Sequence, residues 1–129
     1  MAPRYRPADQ VKGNLALVQA IPWDTINDHA VSASGSPAVV TLPADAMAGN
    51  TIRQIFASYS AAPAAGVTIK IEDGAGNVVW QQAFPPNASM APFTFDPAKT
   101  GTRNTATIIT LDASLGLIAY LDVESYIQD

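Results

Sequence analysis

The stretch Val67–Phe84, VTIKIEDGAGNVVWQQAF, reads as one β-hairpin. Val67, Ile69 and Ile71 alternate with Thr68, Lys70 and Glu72. A period of two marks a strand with one buried face. Asp73-Gly74-Ala75-Gly76-Asn77 follows. Gly and Asn accept the positive φ angles that a tight reversal needs. The chain then returns as Val78–Phe84, with Val78, Trp80 and Phe84 on one face. A lone hairpin is marginal in water, so these apolar faces need more strands to pack on.

The neighbouring sequence supplies them. Ala38–Leu42 is a short β-rich run stopped by Pro43. Thr51–Ser60 is a strand with imperfect alternation; Ile52 and Ile55 share a face only if a bulge lies between them. Phe93-Thr94-Phe95 is a short strand, and Asp96–Asn104 is a turn-rich loop. Thr105–Asp112 is β-branched and apolar on both faces, as in a central strand. In the closing run Leu117–Tyr126, Leu117, Ala119, Leu121 and Val123 face in, and Ile118, Tyr120, Asp122 and Glu124 face out. About seven short strands with regularly spaced turns predict an all-β protein. The expected fold is an antiparallel β-sandwich, either a jelly roll or immunoglobulin-like.

Residues 1–37 read differently, as an extended N-terminal arm and linker ahead of a body at 38–129. Pro3, Pro7 and Pro22 interrupt regular structure. Asn14–Ile21 is apolar enough to need a partner surface, as a short strand or a helical turn. Leu15, Leu17 and Trp23 either cover the end of their own core or dock on a neighbour. Ser32-Ala33-Ser34-Gly35-Ser36-Pro37 is a small-residue linker.

At 129 residues the chain fits one domain. Charged residues are 14%, low for a monomer and suited to a protein inside an assembly. There is no cysteine, which excludes disulfides, Cys-ligated zinc and thiol catalysis. The net charge of −4 argues against general nucleic-acid binding. Arg4, Arg6 and Lys12 nonetheless make the leading twelve residues basic ahead of an acidic remainder. No secretory signal core and no membrane-length apolar run is seen.

The search for chemistry yields little. His29 is the sole histidine and stands in the arm, with no spacing that supports a triad with Asp28. Asp122 and Glu124 share one strand face, as solvated carboxylates commonly do. Glu72–Asn77 faintly resembles a calcium loop but lacks the ligand at the twelfth position. Gly74-Ala75-Gly76 precedes a strand, not the helix a phosphate site requires. Asn87-Ala88-Ser89 matches a glycosylation acceptor by chance. Trp23, Trp80 and Tyr59 could form a sugar platform, but the alternation around Trp80 favours burial. Met47 and Met90 are loop residues, as contacts or as packing filler. The expectation is no enzyme, no cofactor and no metal site.

Across residues 38–126 a resemblance now emerges. It is carried by Ile52–Ser60, Pro63–Gly74, Val78-Val79-Trp80 and Phe93-Thr94-Phe95, then Gly101-Thr102-Arg103-Asn104-Thr105-Ala106 and Thr110-Leu111-Asp112-Ala113. This pattern resembles the small β-sandwich virion proteins of tailed bacteriophages. The resemblance implies a capsid decoration, or cement, protein that is made in the host cytoplasm and sits on the capsid surface. It further implies a homotrimer whose partner is the major capsid protein, with no nucleic acid or membrane involved. In that role Arg4 and Arg6 would meet acidic capsid surface, and Leu15, Leu17 and Trp23 would fill grooves. The alternatives are a tail, fibre or head-fibre component binding host surface or carbohydrate, and a carbohydrate-binding module or small glycosidase. Burial of Trp80 counts against the last.

Overall fold

The computed structural model describes residues 25–90 and 92–128. Eight strands follow one another: β1 (Ile26–Val31), β2 (Ala38–Leu42), β3 (Gly49–Tyr59), β4 (Val67–Asp73), β5 (Val78–Phe84), β6 (Phe93–Thr100), β7 (Thr107–Leu111) and β8 (Ala119–Gln128). They form two antiparallel four-stranded sheets, ordered β1-β8-β3-β6 and β2-β7-β4-β5. The fold is an all-β sandwich. Its pairing is nested: β4 pairs β5, β3 pairs β6, β2 pairs β7 and β1 pairs β8. A long hairpin has been rolled up around its tip, which is the jelly-roll arrangement. The Val67–Phe84 hairpin is that tip. Every other connection crosses from one sheet to the other.

The turn closes as the sequence predicts, but a register shift between Ile71 and Glu72 sets Val78 opposite Glu72 on the outer face, not beside Trp80 and Phe84 as the alternation suggested. Gly74 and Gly76 take φ of 80° and 83°. The Asp73 amide donates to the Asn77 carbonyl at 2.8 Å. Val67, Ile69 and Ile71 are buried, and Ile69 and Ile71 share the core cluster with Ile52, Ile55, Ile109, Leu111, Leu121 and Val123. Each of these fully buried branched side chains contributes roughly 1.5–3 kcal/mol by leaving water. The register shifts between Ile52 and Gln54 against both neighbouring strands, so Ile52 and Ile55 do share the core face across a bulge.

Three further expectations change. Ile26–Val31, assigned by sequence to an arm reaching Pro37, pairs with β8 over six residues and is the first strand of the body. Ser32–Pro37 is then the turn between β1 and β2 rather than a linker. β6 continues through Asp96-Pro97 to Thr100, where a loop was expected. Proline is tolerated there because β6 is an edge strand and bulges opposite the Ile52/Gln54 shift. Finally, β7 is central, but only Thr107, Ile109 and Leu111 are buried; Ile108 and Thr110 are half-exposed on the outer face.

Candidate interaction surfaces

Among the described residues, the groups that could have carried chemistry lie on strand faces and in turns. His29 is exposed on β1 and stands opposite Asp122 on the outer face. Glu124 lies on the same outer face, paired with Asn27 and Gln54. In the hairpin turn, the Asp73 carboxylate accepts from the Thr102 amide at 3.0 Å and from the Thr102 hydroxyl. Glu72 faces Lys70 at 3.5 Å. Among the described residues no three His, Cys, Asp or Glu side chains gather as a metal would need.

Tyr59 ends β3 and donates its hydroxyl to the Asp112 carbonyl at 2.6 Å. Partial burial, and secondarily the Asp112 charge, push its phenol up to about 12. It lines an open groove of about 300 Å³ with Ser58, Ala61, Ala62, Pro63, Ala88, Ser89 and Met90. Small and apolar residues dominate that lining. Met90 packs against the core edge, whereas Met47 is 70% exposed in its turn.

One flank of the sandwich is closed by aromatic rings. β5 and β6 are the outermost strands of their sheets at this flank. Trp80 of β5 meets Phe93 and Phe95 of β6 edge-on, with centroids 5.2 and 5.0 Å apart. Phe84 meets Phe93 at 5.7 Å. The Lys99 ammonium sits 5.8 Å from the Phe95 centroid. All four rings are half-buried and packed on the core, so Trp80 closes the sandwich rather than standing free as a sugar platform. The sequence signal for this was the alternation around Trp80 and in Phe93-Thr94-Phe95.

The two open sheet faces differ in charge: the β1-β8-β3-β6 face carries His29, Asp122 and Glu124, and the β2-β7-β4-β5 face is sparsely charged. On the β2-β7-β4-β5 sheet, the register aligns Val39, Thr110, Lys70 and Gln81 in one row and Thr41, Ile108, Glu72 and Val78 in the next. The Lys70–Glu72 pair is the charge on those two rows. On the other sheet Val31, Phe56 and Tyr120 are 60%, 44% and 37% exposed.

The four sheet edges are unequal. β1 carries Asp28 in register with the buried Val123, a charge aimed toward the sandwich. β2 has five residues between Pro37 and Pro43. β6 contains Asp96, Pro97 and Lys99. Such features discourage a further strand from pairing. β5, VVWQQAF, has none of them, and Val78, Val79, Gln81, Gln82 and Ala83 are exposed along it.

Arg4, Arg6, Leu15, Leu17 and Trp23, the expected contact residues, lie outside the described residues. What the described part defines is a jelly-roll module with one sparsely charged sheet face and one unguarded edge. No family model and no curated protein matches the chain. Among solved structures it is similar to the cryo-EM structure of the extra small virus VLP of the giant freshwater prawn Macrobrachium rosenbergii. The identity is 13%, the match covers 99% of this chain and 92% of that chain, and the TM-score is 0.33. At that score and identity nothing of that particle's function transfers to this chain.

Proposed function

We propose that the chain is a structural protein of a virion, and within that class a capsid decoration protein of a tailed bacteriophage. The observation that carries this reading is a jelly-roll body that leaves apolar side chains on both sheet faces and an uncharged edge open to neighbours. The sequence resemblance over residues 38–126 supplies the phage context. Jelly rolls serve capsids, lectins and cupins alike, so the fold enters only as analogy.

In this role the partner is the major capsid protein, and the protein works as a homotrimer on the capsid surface. The basic leading segment, with Arg4, Arg6 and Lys12, engages acidic shell surface, and Leu15, Leu17 and Trp23 add apolar contact. Three copies held together multiply a weak single contact by about 10²–10⁴ in avidity. Function is then adhesion, and no side chain is asked to turn over a substrate.

The test is binding of the full chain to purified shells that lack it. The Arg4→Glu/Arg6→Glu double variant should bind at least tenfold more weakly at low salt, and the gap to the unaltered chain should narrow as raised salt screens the charges. Binding equal to that of the unaltered chain would remove the leading segment from the mechanism. A deletion used for the same purpose should stop at Asp24, because cutting into Ile26–Val31 removes a sheet strand.

A further inference from the structure

We propose that residues 14–21 of one copy add as a fifth strand to the free edge of β5 in a second copy. The inference deepens the reading of the chain as an assembling shell component, since it names a partner for the unguarded edge. Of the four edges, β5 alone combines seven residues, no charge and no proline. No strand among the described residues covers it. An edge of that kind presents unpaired backbone donors and acceptors, and an extended segment satisfies them by β-augmentation.

The occupant is chosen by length, pattern and reach. Asn14-Leu15-Ala16-Leu17-Val18-Gln19-Ala20-Ile21 is equally uncharged, and is bounded by Gly13 and Pro22. Its eight residues match the seven of β5. Paired there, alternate positions Leu15, Leu17, Gln19 and Ile21 fall on one face, three of the four apolar. In the right register that is the face of Trp80 and Phe84, whose rings are only half-buried at this flank.

Reach excludes the chain's own edge. Thr25 leads into β1, at the end of the sandwich where Ser125 pairs with both Ile26 and Ile52. β1 lies over β2, on the opposite flank from β5. A strand added outside β5 is four strand spacings and one sheet spacing from β1, about 20 Å. The four residues from Ile21 to Thr25 span at most about 14 Å. Running the added strand the other way puts Ile21 at the far end of β5, farther still. A second copy has no such limit. Passing the segment from copy to copy is a head-to-tail contact, which closes as a ring when the rotation permits.

The absence of cysteine makes the test clean, because every thiol present is an introduced one. Full-length protein carrying Ala16→Cys is mixed with full-length protein carrying Val79→Cys, Gln81→Cys or Ala83→Cys, allowed to assemble, and oxidised. A two-chain disulfide product is expected with at least one β5 position and not with Val39→Cys, whose side chain is on the β2 edge. A double variant with thiols at 16 and 81 should link between chains. A link within one chain, or no link at any β5 position, overturns the proposal. Separately, Leu17→Asp in the full chain should weaken self-association at least tenfold by light scattering while its circular dichroism is unchanged; unaltered assembly also overturns it. Neither readout involves a virion, so the strand exchange and the virion reading can fail independently.

Discussion

Replacing Trp80 by Ala separates a closing residue from a ligand-binding one. Complete removal of a buried large aromatic side chain costs about 3–5 kcal/mol. Trp80 is half-buried, which reduces that to roughly 2 kcal/mol of lost burial. Its edge-on contacts with Phe93 and Phe95, at 5.2 and 5.0 Å, add about 0.5–1.5 kcal/mol together, because the two rings share one face of the problem. The expected loss is about 3 kcal/mol. For a domain of this size each kcal/mol lowers Tm by about 3–5 °C, so Tm should fall by about 10 °C. Thermal unfolding followed by circular dichroism measures the shift. Urea titration should show a lower midpoint with an unchanged slope. A Tm within about 2 °C of the parent would refute the packing role assigned to this flank. A sugar-platform tryptophan would give that result, losing affinity and little stability.

Other substitutions probe the same frame. Gly49→Ala should cost about 2–4 kcal/mol, since a Cβ there overlaps the Gly101 carbonyl oxygen and that loop is also tied by the Gly101 amide to Asn50 at 2.8 Å. Gly76→Ala meets nothing within 4 Å and pays only for its positive φ, so about 1 kcal/mol is expected from the same melts. Tyr59→Phe should cost about 1 kcal/mol at neutral pH through its hydrogen bond to Asp112. The folded phenol titrates at about 12 against 10 unfolded, so its contribution is full below pH 10 and is lost as pH rises toward 12. The parent should therefore lose stability relative to Tyr59→Phe across that window; parallel curves would contradict the assignment.

Local patterns told the truth wherever one face met the core and the other met water. The hairpin turn with β4, the β8 alternation and the Ile52/Ile55 bulge follow from alternation and turn chemistry alone, whereas the face of Val78 does not, because a register shift against Glu72 turns it outward. β1 was hidden because INDHAV carries Asp28 and His29, and as an edge strand it holds its place by pairing with β8 rather than by an apolar stripe. β6 was cut short because Asp96-Pro97 looks like a loop, and only an edge with a bulge accommodates it. The choice of jelly roll over an immunoglobulin order rests on pairs such as β1 with β8, about a hundred residues apart in the chain, and no local signal encodes them. The aromatic flank is half legible: alternation points Trp80 inward, but its partners Phe93 and Phe95 meet it only once β5 and β6 stack. The unguarded β5 edge emerges only when strand order is known, because any strand is an edge only by virtue of its neighbours.

The virion reading is met most directly by counting this chain in purified particles by quantitative mass spectrometry against the major capsid protein. A decoration protein of the shell is expected in numbers comparable to the capsid protein itself. A handful of copies would place it in a tail or fibre instead, and its absence from particles would contradict a virion role altogether.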